Sequence, residues 1–323
     1  MQIAVTGATG FLGRYIVKLL TGKSHTCRCW TARDSDRGGF TNQQSITWIE
    51  GGLQFPLSVE PLIEGAHAVI HAGLYRPPWG EGHRGADTNV VDFAEVNLMG
   101  TLRLMQAAKR AAIDRFVFIS TCGVHDVILD DRPLDETHPL WPLSHYGAHK
   151  AAIEKFIHSF GLPCRPAPRD VPTHRHLAAR EAWGICALRP VGIYGIRRPL
   201  VRSKWYPIVR DVMAERPIDD PSGGKEVHAR DVARAVELLL HTDLHTMAGQ
   251  SYNCCDHYVS AVDVAQIARQ LTASPSRIIG TGKGPKHQID SSKIRNLGLQ
   301  FGGRTRLEQY VAELIEAIRA RGD

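Results

Sequence analysis

An α/β fold with a doubly wound parallel sheet is predicted by two features of this 323-residue chain. A short apolar run at the N-terminus passes through a glycine-spaced turn straight into a helical pattern. Farther along, strand-like runs keep alternating with helical ones, the order that places a parallel sheet between two helix layers. With 43% hydrophobic residues, a chain of this length buries a sizeable core as one large domain or a two-lobed one.

The elements follow in order. Ile3-Ala4-Val5 reads as a short buried strand, Thr6-Gly7-Ala8-Thr9-Gly10-Phe11-Leu12-Gly13 as a turn, and Tyr15-Ile16-Val17-Lys18-Leu19-Leu20 as the start of a helix. In this setting Gly7 allows the tight turn, Gly10 close approach of the backbone to a pyrophosphate, and Gly13 close packing of helix on strand. The spacing Gly-x-x-Gly-x-x-Gly after an N-terminal strand therefore predicts Rossmann-type dinucleotide binding, with the phosphate charge at the helix N-terminus. Cys27 and Cys29 alternate in a further strand, and residues 68–72 form another, followed by a Pro- and Gly-rich loop over 75–85 expected near a nicotinamide. Helices are predicted over 89–112, 146–160 and 231–241, and a strand over 185–189. A closing amphipathic helix over 306–319 gathers Leu307, Tyr310, Val311, Leu314, Ile315 and Ile318 on one face. Between 163 and 182, four prolines and a cluster of Arg and His form a surface excursion, with a substrate lid or subunit contact as the alternative.

The chemistry centres on Tyr146-Gly147-Ala148-His149-Lys150. Residues four apart share a helix face, so the Lys150 ammonium is expected beside the Tyr146 oxygen, lowering the phenol pKa and making it an acid or base near neutral pH. Asn97-Leu98-Met99-Gly100-Thr101, Arg115-Phe116-Val117-Phe118-Ile119-Ser120-Thr121, Leu188-Arg189-Pro190-Val191-Gly192-Ile193-Tyr194-Gly195, Val227-His228-Ala229-Arg230-Asp231-Val232-Ala233 and Asp290-Ser291-Ser292-Lys293-Ile294-Arg295-Asn296-Leu297-Gly298 complete an ordered series.

That series resembles the extended short-chain dehydrogenase/reductase family, which includes sugar-nucleotide epimerases, dehydratases and dihydroflavonol-type reductases, over nearly the whole chain. The resemblance implies a smaller C-terminal substrate-binding lobe: residues 1–188 form the NAD(P)-binding domain, 229–245 return to it, and 189–323 form mainly the second lobe. It implies catalytic roles for Thr121, Tyr146 and Lys150, and cofactor contacts from Gly7, Thr9, Gly10, Phe11, Leu12, Gly13, Arg33, Leu53, His71, Ala72, Asn97, Tyr146 and Lys150. Tyr75, Cys122, His145, Tyr194, Lys204 and His228 are the candidate substrate contacts, with lobe packing the alternative for Tyr194 and His228 and helix capping that for His145. A homodimer is implied by analogy.

Departures from the family shape the substrate reading. Gly51-Gly52-Leu53 lacks the usual Asp that contacts adenine, and Cys122-Gly123 stands where 4,6-dehydratases place Asp and Glu, which argues against a dehydratase. Gly224 and Lys225 replace the arginine that grips a nucleotide diphosphate, and Glu226 replaces an aromatic, which weakens the case for a UDP-sugar. Cofactor choice is read at the end of the second strand, where Cys29-Trp30-Thr31-Ala32-Arg33 supplies no acid and Arg33, with Arg28 and Arg37 nearby, leans toward NADP over NAD despite Asp34. Three function classes stay open: an epimerase-type enzyme of a sugar-like secondary alcohol, an NADPH-dependent carbonyl reductase or dehydrogenase, and a cofactor-sensing protein on the same fold.

Composition adds exclusions. The net charge of +6 comes from dispersed arginines with no aromatic interleaving, so nucleic acid is not expected, and a positive field suits a phosphorylated cofactor or anionic small-molecule substrate. Seven cysteines lack zinc spacing and read as reduced thiols, and His174-Arg175-His176 is the only close histidine pair, so no metal is expected. With no membrane-length apolar segment and no charged, apolar leader, the chain is expected to be cytoplasmic.

Overall fold

The computed structural model describes residues 1–76, 89–162, 182–282, 284–285 and 287–321. A seven-stranded sheet contains β1 (Gln2–Thr6), β2 (Thr26–Thr31), β3 (Ile46–Glu50), β4 (Ala68–His71), β5 (Arg115–Ile119), β6 (Gly184–Pro190) and β9 (Gln250–Cys254) in the order β3-β2-β1-β4-β5-β6-β9. Every pairing is parallel. All four residues of β4 and all seven of β6 are buried, which is why these strands read as continuous apolar runs and not as alternating ones. A smaller sheet joins β7 (Gly192–Tyr194), β8 (Gly223–His228) and β10 (His257–Ser260), with β8 in the centre.

Numbering the described helices of eight residues or more, α1 (Phe11–Gly22) and α5 (Ala229–His241) cover one face of the large sheet, where Ile16, Val17 and Leu20 meet Val232, Val236 and Leu239. On the other face lie α2 (Gly100–Arg110) and α3 (His145–Gly161), through Leu104, Met105, Ile153 and Ile157. A separate core under the small sheet joins α4 (Tyr206–Met213), α6 (Ala261–Thr272) and α7 (Gly303–Arg319).

Two expectations change. The single helix predicted over 89–112 is divided: Val90–Ala94 leads into a π-helical turn, Glu95–Met99, before α2 begins. Strand β9 stands in the large sheet although it falls in the range assigned to the smaller lobe. The excursion at 163–182 and the loop after Arg76 lie almost wholly outside the described residues. None of the described helices is long and apolar enough to cross a membrane.

Candidate active site

The chain moves outward from β1 to β2 and β3, then crosses back to β4 on the other side of β1, so the sheet order reverses at the C-terminal ends of β1 and β4. That reversal opens a crevice where doubly wound sheets bind ligands. Gly7 has φ +68°, and a Cβ there would lie 2.7 Å from the Ala72 carbonyl, so both the turn and the approach of β1 to β4 require glycine. A Cβ on Gly13 would collide with the Gly7 carbonyl oxygen. Gly10 caps α1 with no side-chain bond, and the first turn from Phe11 and Leu12 carries no acid; its amides stay available to an anion.

A cleft of about 240 Å³ runs from Thr6, Gly7 and Thr9 along Trp30, Ala32 and Ser35 to Gly51, Gly52, Leu53 and Gln54, and back past Gly73, Leu74, Tyr75 and Arg76. Its glycine floor and the acid-free helix start suit the phosphates of a dinucleotide. Gly7, Thr9, Leu53 and Tyr75 line it. Arg33 does not: its guanidinium stands in solvent 3.4 Å from Glu50, drawn to the carboxylate that ends β3.

His71 turns inward. Its ring is buried and closes a chain of hydrogen bonds inside the sheet. The Gly73 N–H donates to Thr6 Oγ1 (2.9 Å), Thr6 Oγ1 meets His71 Nδ1 (2.6 Å), His71 Nε2 meets Thr101 Oγ1 (2.8 Å), and Thr101 Oγ1 donates to the Asn97 carbonyl (2.6 Å). Counting donors fixes the direction: the Thr101 proton goes to Asn97, so His71 donates from Nε2 and accepts at Nδ1 from Thr6. Burial, with the Lys150 charge adding to it, pushes the ring pKa down to about 3, so it is neutral. Asn97, in the π-helical turn, accepts the Tyr75 N–H at Oδ1 (2.8 Å) and donates to the Tyr75 carbonyl (3.0 Å). His71 and Asn97 thus shape the cofactor loop from within.

Beside this chain, β5 ends at Ile119 and delivers Thr121, while Ser144 caps α3 by accepting the Gly147 N–H (3.1 Å). His145 is exposed and is not the cap. The Thr121 hydroxyl accepts the Gly123 N–H (3.0 Å) and lies close enough to the Tyr146 phenol to lower its pKa. Burial raises the Tyr146 pKa, with the Arg76 charge and the Thr121 hydroxyl acting against it. The lowering by Lys150 expected from spacing does not dominate, because the ammonium turns inward: it donates to the Ile119 carbonyl (2.7 Å), sits 4.3 Å over the Phe118 ring, and lies 5.9 Å from the centre of the Tyr146 ring. Burial brings the Lys150 pKa down to about 7, with Glu154 pulling it up.

Sequence reasoning missed Glu154. It is buried beneath Lys150 and grips Arg189 of β6, whose Nε lies 2.9 Å and Nη2 2.5 Å from Oε2. Ser120 donates to Oε1 (2.5 Å) and Ser251 of β9 to Oε2 (3.0 Å). Arg189 Nη1 reaches His125 Nε2 (3.2 Å). The signal was present: Tyr146, Lys150 and Glu154 fall at i, i+4 and i+8 on one helix face.

The other substrate candidates turn inward. Cys122 is buried with its thiol donating to the Arg189 carbonyl (3.0 Å). Tyr194 and His228 stack edge to face 4.9 Å apart in the second-lobe core, and His228 caps α5 by accepting the Arg230 N–H at Nδ1 (3.0 Å). Lys204 pairs with Glu226. Tyr75 lines the cleft. No group of three or more potential metal ligands occurs among the described residues.

Comparison with known proteins agrees with this geometry. The chain is 27% identical to the low-salt glycan biosynthesis protein Agl12 of Haloferax volcanii over 50% of its length and 52% of that protein, so it spans about half of that relative. To cinnamoyl-CoA reductase 2 of Medicago truncatula it is 22% identical over 99% of the chain and 92% of the relative. The UDP-glucose 4-epimerase of Thermus thermophilus, solved in complex with NAD, shares the fold with a TM-score of 0.73 at 19% identity, over 98% of this chain and 99% of that one. The model of the NAD dependent epimerase/dehydratase family matches residues 3–255, and the chain belongs to that family.

Proposed function

We propose that the chain is an NAD(P)-dependent, epimerase-type oxidoreductase acting on a secondary alcohol, or the corresponding ketone, of a sugar-like or sugar-nucleotide substrate. The observation that carries this is the closeness of the Thr121 hydroxyl to the Tyr146 phenol after β5, with Lys150 one turn along α3 and Arg76, which lines the cleft, acting on the same phenol. A nicotinamide bound in the cleft supplies the hydride acceptor. Tyr146 takes the proton of the substrate hydroxyl as the carbon-bound hydrogen leaves, and returns a proton to the same oxygen when the ketone is reduced from its other face. Thr121 holds that oxygen. Lys150 holds the nicotinamide ribose and keeps positive charge near the phenol. Net redox change is zero, and the stereocentre inverts. We extend the proposal to a homodimer, which sedimentation velocity tests.

A second reading, an NADPH-dependent carbonyl reductase, is favoured by the likeness to cinnamoyl-CoA reductase 2 across almost the full chain and by the absence of an acid at the end of β2. The first test is mass spectrometry of ligand released on denaturing the purified protein, with native absorbance recorded near 340 nm. Retained NAD(H) supports the epimerase. An empty protein that binds NADPH more tightly than NADH and consumes it with carbonyl substrates supports the reductase. Tyr146→Phe is expected to lower turnover by about 10²–10⁴-fold while the dinucleotide still binds; undiminished turnover removes the phenol from the mechanism under either reading.

A further inference from the structure

Lys150 is an ammonium sealed from water, only 4% exposed, and it donates to the neutral Ile119 carbonyl. A buried amine in that position sheds its proton unless something offsets desolvation. Each element packed around it contributes an identifiable group. Strand β4 presents His71, held neutral within its hydroxyl chain. Strand β5 presents the Phe118 ring and the Ile119 carbonyl, and α3 itself carries Tyr146, His149 and Glu154. His149 is buried and bonds the Tyr146 carbonyl through Nδ1 (2.7 Å). Strand β6 presents the cation Arg189. Among the described residues, Glu154 is therefore the only anion in this shell, which holds one carboxylate against two cations.

We propose that Glu154 is a positioning residue that, from one turn beyond Lys150, keeps the buried ammonium charged at neutral pH and so sets the pH range over which the chain binds its nucleotide. The inference rests on the functional reading above, in which Lys150 meets the nicotinamide ribose. Its physics is a balance of charge. Replacing Glu154 with a neutral residue leaves Lys150 and Arg189 as two cations in one dry shell. A guanidinium cannot release its proton in that range, whereas an ammonium can, so the strain is relieved at Lys150. Five hydrogen bonds to the carboxylate, from Ser120, Arg189 and Ser251, hold it fixed.

The test follows the Lys150 side chain by NMR of protein labelled with ¹⁵N at lysine Nζ, its signal assigned by its loss in Lys150→Met, together with the pH dependence of NAD(H) and NADP(H) affinity. Glu154→Gln is expected to move the Lys150 titration, and the alkaline limb of nucleotide affinity, down by about one pH unit or more, the scale of a nearby opposite charge; Glu154→Asp is expected to restore most of it. Should Glu154→Gln not fold, Glu154→Gln/Arg189→Met removes both members of the pair, and the nearer charge decides: the titration again falls below wild type. A titration unmoved in the variants that fold means that Glu154 is only a packing anchor, and the proposal is overturned. Because the NMR readout needs neither substrate nor turnover, an error in the assigned reaction leaves this result standing, and a negative result here leaves Tyr146 as acid and base.

Discussion

Two buried polar systems flank the head of β5, and they are built on opposite principles. On the β4 side, Gly73, Thr6, His71 and Thr101 each donate once in a fixed direction along a chain of neutral groups that ends on the Asn97 carbonyl. On the β6 side, Glu154, Arg189, Ser120, Ser251 and His125 surround a full ion pair. The neutral chain ends on Asn97, which holds the Tyr75 backbone at the cleft. The ionic group ends under Lys150. Loop shape is thus set by groups whose hydrogen bonds do not change with pH until the site is strongly acid, whereas the Lys150 charge, on the proposal above, is set by groups that act through their own charge.

The comparison predicts unequal responses to losing one member. Arg189→Met leaves Glu154 charged, buried and short of its main donor, and removing one partner of such a pair costs about 3–5 kcal/mol. Urea unfolding should show that loss. Glu154→Gln/Arg189→Met should recover much of it, since a buried pair replaced together is often near neutral; a double variant as unstable as the single one would mean that the pair holds β5, β6 and β9 by geometry more than by charge. Thr101→Val is the matching cut in the neutral chain. It strands the His71 Nε2 donor and frees the Asn97 carbonyl at a cost of about 1–3 kcal/mol, and it should also loosen nucleotide binding through Tyr75.

The sequence showed the two systems to different degrees. Tyr146, Lys150, Thr121 and the glycine turn were legible as positions because each occupies a strand end or a helix start, while the inward turn of the Lys150 ammonium was not. His71 and Asn97 were visible as motif positions, yet their internal hydrogen bonds were not, because which way the His71 ring faces depends on Thr6 and Thr101, 65 and 30 residues away. Arg189 was seen within its motif, while its partner across 35 residues was not. The π-helical turn at Glu95–Met99 left no apolar signature, since one extra residue barely disturbs the period of a helix. Tyr194 and His228 were drawn toward the substrate by motif proximity, and a core of four aromatic rings with Trp205 and Tyr310 holds them instead.

A further test separates the two systems by pH. His71 is held at about 3, chiefly by burial, and His125 at about 4 by burial with Arg189 repelling its proton. Both lie below the unfolded value near 6.5, so on acidification the unfolded chain takes up protons that the folded one refuses. The stability each contributes is complete above about pH 6.5 and is lost as pH falls toward the folded value, with a slope of at most about 1.4 kcal/mol per pH unit for each ring. Arg189→Met removes the repulsion at His125 and leaves burial, so the acid-side loss from that ring should end at a higher pH, while the His71 contribution keeps its course. His71→Asn should flatten the slope by about one proton without altering the His125 part. Urea titrations at several pH values between about 4 and 7, the window in which the two rings diverge from the unfolded chain, measure both slopes. If Arg189→Met shifts the His71 part as strongly as that of His125, the two systems share one electrostatic field across β5 and the division between a neutral and an ionic side does not hold.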